Sequence, residues 1–153
     1  MTIIQGESKP RETLEAAMPE HVTTDSTNCR VCVIEQDTAV SRGIQMLLRH
    51  LPAAVITYSS AESFLSNPPR ESAIDCIIIE MNLPGMSGLQ LLSEIRAEGI
   101  TAPAIILSSK SDVATAVAAM RAGAYDFIEK PFLHGALLDR VRQALRMSGV
   151  ARA

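Results

Sequence analysis

The 153-residue chain has no apolar run approaching the ~20 residues that a bilayer-spanning helix needs. Its start, with Glu7, Glu12 and Glu15, lacks the basic-then-apolar pattern of a secretory signal, so a cytoplasmic protein is expected. Lysine and arginine form no cluster and the formal charge is -3, which argues against a nucleic-acid surface. Cysteines number only three, all in or beside expected strands, and read as buried reduced thiols. Cys29 and Cys32 form a Cys-x-x-Cys, but no second pair follows for zinc and no helix starts there for redox work. After the first apolar run no glycine-rich loop opens a helix, which removes a dinucleotide site, and no Ser/Thr-rich loop offers a flavin phosphate its anchor. No organic cofactor is expected.

What the chain does have is alternation. Residues 1–28 are rich in Thr, Glu, Ser and Pro without sustained periodicity and read as a disordered tail. From position 30 onward short apolar runs alternate with segments of helical period. Strands are expected over 30–35, 54–58, 74–80, 104–108 and 125–129, and helices over 38–50, 61–66, 88–98, 112–122 and 133–147. Val40, Ile44, Leu47 and Leu48 share one helical face, as do Leu89, Leu92 and Ile95. Five strands alternating with five helices make an α/β domain over 29–148, with 149–153 a short C-terminal tail. The expected form is the doubly wound, flavodoxin-like (βα)5 parallel sheet, strand order 2-1-3-4-5.

Ligand sites in such sheets lie just beyond the carboxyl ends of the strands. Four apolar runs end in chemistry there. Ile77-Ile-Ile ends in Glu80, and Val31-Cys-Val-Ile ends in Glu35-Gln36-Asp37. Ala104-Ile-Ile-Leu ends in Ser108-Ser109, and Asp126-Phe-Ile-Glu ends in Lys130-Pro131. The order 2-1-3-4-5 puts the first and third strands side by side, bringing Glu35 next to Glu80. Each feature alone has a plainer reading: Ser108 as a strand-end hydroxyl, Phe127 as a core aromatic, Glu80 as a partner for Lys130. Their joint spacing is what points to a site.

This constellation resembles the receiver domain of bacterial two-component response regulators, the CheY-like superfamily, over about 30–147. Leu83-Pro-Gly-Met-Ser-Gly88 and Ala122-Gly-Ala-Tyr-Asp-Phe-Ile-Glu-Lys-Pro-Phe132 carry the likeness, which is closest to receivers of nitrogen-fixation-type regulators. The resemblance implies a phosphorelay protein, not an enzyme, whose partners are a sensor histidine kinase or phosphotransfer protein and a downstream regulator. It implies an acceptor Asp at the third strand's end, an acidic pair after the first that helps hold Mg²⁺, a strand-end hydroxyl and a strand-end Lys. On this chain Ser108 fits the hydroxyl, Lys130 the ammonium before a cis proline, and Phe127 the switch aromatic. Asn82 fits the loop residue lending the metal a backbone carbonyl, with Glu35 and Glu80 as the other ligands. Glu35 and Gln36 occupy the acidic pair, so one carboxylate is an amide, and Glu80 stands where the acceptor Asp belongs.

Glutamate carries its charge one methylene further, ~1.5 Å, and a misplacement of about 1 Å can cost ~100-fold in a reaction that depends on alignment. The longer carboxylate is expected to reach toward Ser108 and Lys130, into space a phosphoryl oxygen would fill. With the Gln36 charge lost as well, Mg²⁺ binding is expected to be weakened. The expectation is a stand-alone receiver with a degenerate acceptor site, acting by protein–protein contact. Phosphorylation of Glu80, of Asp37 (also a candidate helix N-cap), or last of all Asp75, at the far end of its strand, is the alternative. Only six residues, 148–153, follow the last helix, so indirect control of transcription through a DNA-binding partner is a third reading. The surface of the fourth helix, fifth strand and fifth helix, alanine-rich and lined by Arg140, Arg142 and Arg146, is the expected homodimer face.

Overall fold

The structure, a computed structural model, describes residues 21–23, 29–69, 74–110 and 112–149. Strands β1 (His21–Thr23), β2 (Cys29–Ile34), β3 (Ala53–Tyr58), β4 (Cys76–Glu80), β5 (Ala104–Ser108) and β6 (Asp126–Glu129) form one sheet in the order β1-β3-β2-β4-β5-β6. The strands from β2 to β6 are all parallel, in the expected order 2-1-3-4-5. Between them lie α1 (Thr38–Leu47, extended by a 3-10 turn at Leu48–His50), α2 (Ala61–Ser66), α3 (Gly88–Ala97), α4 (Val113–Arg121) and α5 (His134–Gly149).

Continuous apolar runs form the central strands because helices cover both faces of the sheet. Along β2 and β4 the side chains alternate: Cys32, Ile34, Ile77 and Ile79 join the core under α2, α3 and α4. Val31, Val33 and Ile78 join the core under α1 and α5, with Ile44, Leu48, Leu137 and Val141. Full burial of each such side chain contributes about 1.5–3 kcal/mol, so the two apolar layers hold the sheet. Polar residues at the helix starts set the loops. Asp37 caps α1 by accepting from the N–H groups of Ala39 and Val40, and Asp112 caps α4 by accepting from Thr115 N–H. Ser60 and Ser87 each close a capping box. At the C-terminal end of α3, Gly99 takes φ +88, and Ile100 N–H returns to Ile95 C=O, the conformation glycine favours at a helix end.

One expectation needs correction. Within the stretch 1–28 read as a disordered tail, His21–Thr23 is a strand, paired antiparallel with β3 through His21↔Thr57, Val22↔Ile56 and Thr23↔Val55. Three residues are too few for a periodic signal. Their pairing covers the backbone edge of β3, whose six residues are all buried. The rest of 1–28, and 150–153 of the expected C-terminal tail, lie outside the described residues. Helix boundaries otherwise move by a residue or two, as capping geometry requires.

Candidate functional site

Parallel register brings the four strand ends together. Ile34 of β2 lies opposite Ile79 of β4, so Glu35 and Glu80 emerge side by side. Ser108, last in β5, lies opposite Glu129 of β6, and Lys130 N–H donates to Ser108 C=O at 2.7 Å. Lys130 is therefore placed to swing its ammonium across the sheet edge to the two acids.

It does so. Lys130 Nζ donates to Glu35 Oε1 at 2.8 Å and to Glu80 Oε1. Both carboxylates are nearly buried, at 3% and 6% exposure, so the ammonium is their main charge compensation. Their remaining oxygens are held by backbone: Glu35 Oε2 accepts from Asp37 N–H at 3.1 Å, and Glu80 Oε2 from Asn82 N–H at 2.7 Å. Burial by itself would lower the Lys130 pKa. The hydrogen bonds and charges of Glu35 and Glu80 together outweigh it, and the pKa is raised above the usual 10.5.

The other expected residues fall out unevenly. Ser108 is fully buried, but its Oγ accepts from Lys110 N–H at 3.0 Å and does not hydrogen-bond Glu80. Glu80 therefore reaches Lys130, as anticipated, and not Ser108, because its second oxygen is turned to its own loop. Phe127 is half-buried and packs on the core under α2, α3 and α4. Gln36 is exposed on the rim. Asn82 donates its N–H to Glu80 Oε2. Asp37 is exposed and spends Oδ1 on the α1 cap. Asp75 sits at the opposite end of β4, buried, accepting from Arg30 N–H and Ser148 Oγ. The Lys130–Pro131 peptide is cis, as the family likeness implied.

Glu35, Gln36, Asp37, Glu80, Asn82 and Ser109 line an open hollow of about 360 Å³ at this edge. The resemblance to receiver domains implies Mg²⁺ at such a place. Here the donor set does not fit an octahedral oxygen shell. Lys130 Nζ bridges the carboxylates, each outer oxygen already accepts a backbone N–H, and the position beside Glu35 is an amide. Among the described residues no group of three or more His, Cys, Asp or Glu is arranged to hold a metal.

Gly88 went unnoticed as a site residue. A Cβ there would stand 2.3 Å from the Glu80 carbonyl oxygen, and Gly88 N–H donates to Met81 C=O at 2.8 Å. The start of α3 is thus pressed against the backbone that carries Glu80. The signal was available: a glycine in the first turn of a helix, where almost any other residue is a better helix former.

Residues 31–142 match the model of the response regulator receiver domain. The chain belongs to this family. It is 40% identical over 119 residues to the transcriptional regulatory protein FixJ of Azorhizobium caulinodans, covering 77% of this chain and 56% of that one. It is 35% identical over 123 residues to the response regulator protein TodT of Pseudomonas putida, covering 80% and 54%. A solved response regulator receiver protein from Pseudoalteromonas atlantica superposes with TM-score 0.72 at 32% identity, over 77% of this receiver and 98% of that chain. The receiver spans about half the length of the curated relatives it matches. Receiver domains are signalling modules that work with histidine kinases and downstream effectors, and this one shares their fold. No helix among its described residues is long and apolar enough to cross a membrane.

Proposed function

We propose that this receiver works in the cytoplasm as a signalling protein whose state does not depend on ordinary aspartyl phosphorylation. Glu80 occupies the acceptor position, and one observation carries the reading: its carboxylate is bound at both oxygens, by Lys130 Nζ and by Asn82 N–H. The Lys130 ammonium, which would otherwise offset charge on a transferring phosphoryl group, is already shared between Glu35 and Glu80. Glu80 thus substitutes for the modification at Lys130 while leaving the Ser108 hydroxyl on Lys110 N–H. The domain is non-enzymatic and acts as a fixed-state docking module on a histidine kinase, a phosphotransfer protein or a downstream regulator, with Mg²⁺ dispensable.

The surface of α4, β6 and α5 suits a weak homodimer. Val113, Val117 and Met120 stand exposed along α4, at 78%, 41% and 49%. Arg140 is tied to Asp126 and Arg142 to Asp139, so two of the arginines on that surface are internally paired. Any effect on transcription would run through a DNA-binding partner or a further domain.

A second reading has one supporting observation: the hollow over Glu80, Asp37 and Asn82 is open. A carboxylate oxygen of Glu80 or Asp37 would attack a phosphohistidine phosphorus, the P–N bond would break, and the imidazole would leave with its electron pair and take up a proton. Incubation with acetyl phosphate and Mg²⁺, and with a histidine kinase and labelled ATP, separates the two. The first reading expects no base-labile acyl phosphate on the native chain and its appearance in Glu80→Asp. Stoichiometric label on the native chain that vanishes in Glu80→Gln or Asp37→Asn promotes the second.

A further inference from the structure

Another hollow, of about 440 Å³, lies between α1 and the loop that joins β6 to α5. Val40, Ile44 and Leu47 line it from the helix, and Pro131 and Phe132 from the loop. Its polar residues are Ser109, Lys130 and His134. Sites for small molecules have this make-up: a few hundred cubic ångströms, mostly apolar, with a small number of polar groups.

Between Val40 and Leu47 the lining is Gly43, in the middle of α1, where glycine is among the poorest helix formers. At Gly88 the backbone opposite leaves no room for a side chain, but a Cβ at Gly43 would meet no atom within 4 Å. Gly43 is not among the glycines with positive φ, so its conformation does not call for glycine either. What the missing side chain does is keep the hollow open. A glycine inside a helix that neither packing nor conformation explains points to an occupant at that spot.

The polar groups select the class of ligand. Lys130 Nζ is held by Glu35 and Glu80, and two carboxylates against one ammonium leave a formal negative charge that disfavours an anion there. The Ser109 hydroxyl and the His134 imidazole have no hydrogen bond or ion pair among the described residues. Each can both donate and accept. An uncharged hydroxyl on a flat apolar body answers them, with the body between Phe132 and the α1 side chains.

We propose that this hollow binds a small, flat, uncharged apolar molecule bearing a hydroxyl, its rings against Val40, Leu47 and Phe132 and its hydroxyl toward Ser109 and His134. Ser109 also lines the hollow over Glu35 and Glu80, so the ligand stands beside the strand-end site and gives the domain a small-molecule input. The inference is independent of how Glu80 functions, because Glu80 is not part of this lining.

The test titrates 2-naphthol into the full nitrogen-15-labelled chain and follows the backbone amide shifts. Saturable shifts confined to 40–47, 109 and 130–134 are expected, with a dissociation constant of roughly 0.1–1 mM for a ligand of this size. Gly43→Leu fills the hollow from an exposed helical position, so it should melt no lower than the native chain and bind about tenfold more weakly or worse. If Gly43→Leu melts early, Gly43→Met carries the same expectation. Gly135→Ala, at an equally open glycine outside the lining, should bind as the native chain does. 2-Naphthoate, with the same rings and an anionic head, should bind several-fold more weakly than 2-naphthol. Shifts scattered over the surface or centred on α4, equal binding by the filled variant, or 2-naphthoate binding as tightly as 2-naphthol each overturn the proposal. So does an absence of saturable binding, including the case where a histidine kinase alone perturbs these residues and the hollow seats a protein.

Discussion

At the scale of single residues, Lys130 decides the character of the site. One ammonium serves two nearly buried carboxylates, each steadied by a backbone N–H. Lys130→Met leaves both acids without a cation, and breaking such a buried pair costs about 3–5 kcal/mol. Urea unfolding at neutral pH is expected to show that loss. The pH dependence has a definite sign. Because the folded pKa of Lys130 lies above 10.5, its contribution is complete below the unfolded value and is lost as pH climbs through the raised one. The native chain should therefore lose stability above that value, and the Lys130→Met difference should shrink there. The thiols give a second check at this scale. Burial pushes Cys32 up to about 12, with Arg30 opposing, and burial raises Cys76 as well. Ellman's reagent on the folded chain should find Cys29, half-buried, well before the other two. Equal reaction of all three would contradict the packing of β2 and β4.

At the scale of elements, the β4–α3 connection links sequence to chemistry. Ser87 caps α3, and Gly88 then lets the helix start lie against the Glu80 carbonyl. Gly88→Ala puts a methyl where the backbone of Glu80 and Met81 already stands, so the loop must retreat, at about 1–3 kcal/mol for overpacking. Amide hydrogen exchange should show Asn82 N–H losing protection in this variant, since its bond to Glu80 Oε2 depends on the loop position. A variant as stable as the native chain, with Asn82 still protected, would refute the close approach.

At the scale of the whole molecule, the exposed apolar face is the feature a lone domain has least reason to keep. Val113, Val117 and Met120 recur on one side of α4, and Arg140 and Arg142 of α5 are already partnered. Light scattering at high concentration should give a mass above the monomer, reverting to monomer in Val117→Asp. Monomeric mass at every concentration would remove the dimer. Val117 is exposed enough that the substitution should leave the melting temperature nearly unchanged.

The order of strands and helices was legible in the chain because each element carries its own period: apolar runs covered on both faces, amphipathic helices between them, and polar caps at their starts. Those are local properties, and they brought Glu35, Glu80, Ser108 and Lys130 to one edge without any knowledge of contacts. Which oxygen each donor takes was not local. That Glu80 turns one oxygen to Asn82 N–H, that Ser108 answers Lys110 rather than Glu80, and that Gly88 props the loop all depend on backbone groups, which every residue shares. The edge strand His21–Thr23 was hidden for a related reason: its pairing with β3 is a long-range contact made by three residues, too few to announce themselves by pattern. Side-chain chemistry names the members of a site; backbone geometry, set only when the chain is packed, assigns their partners.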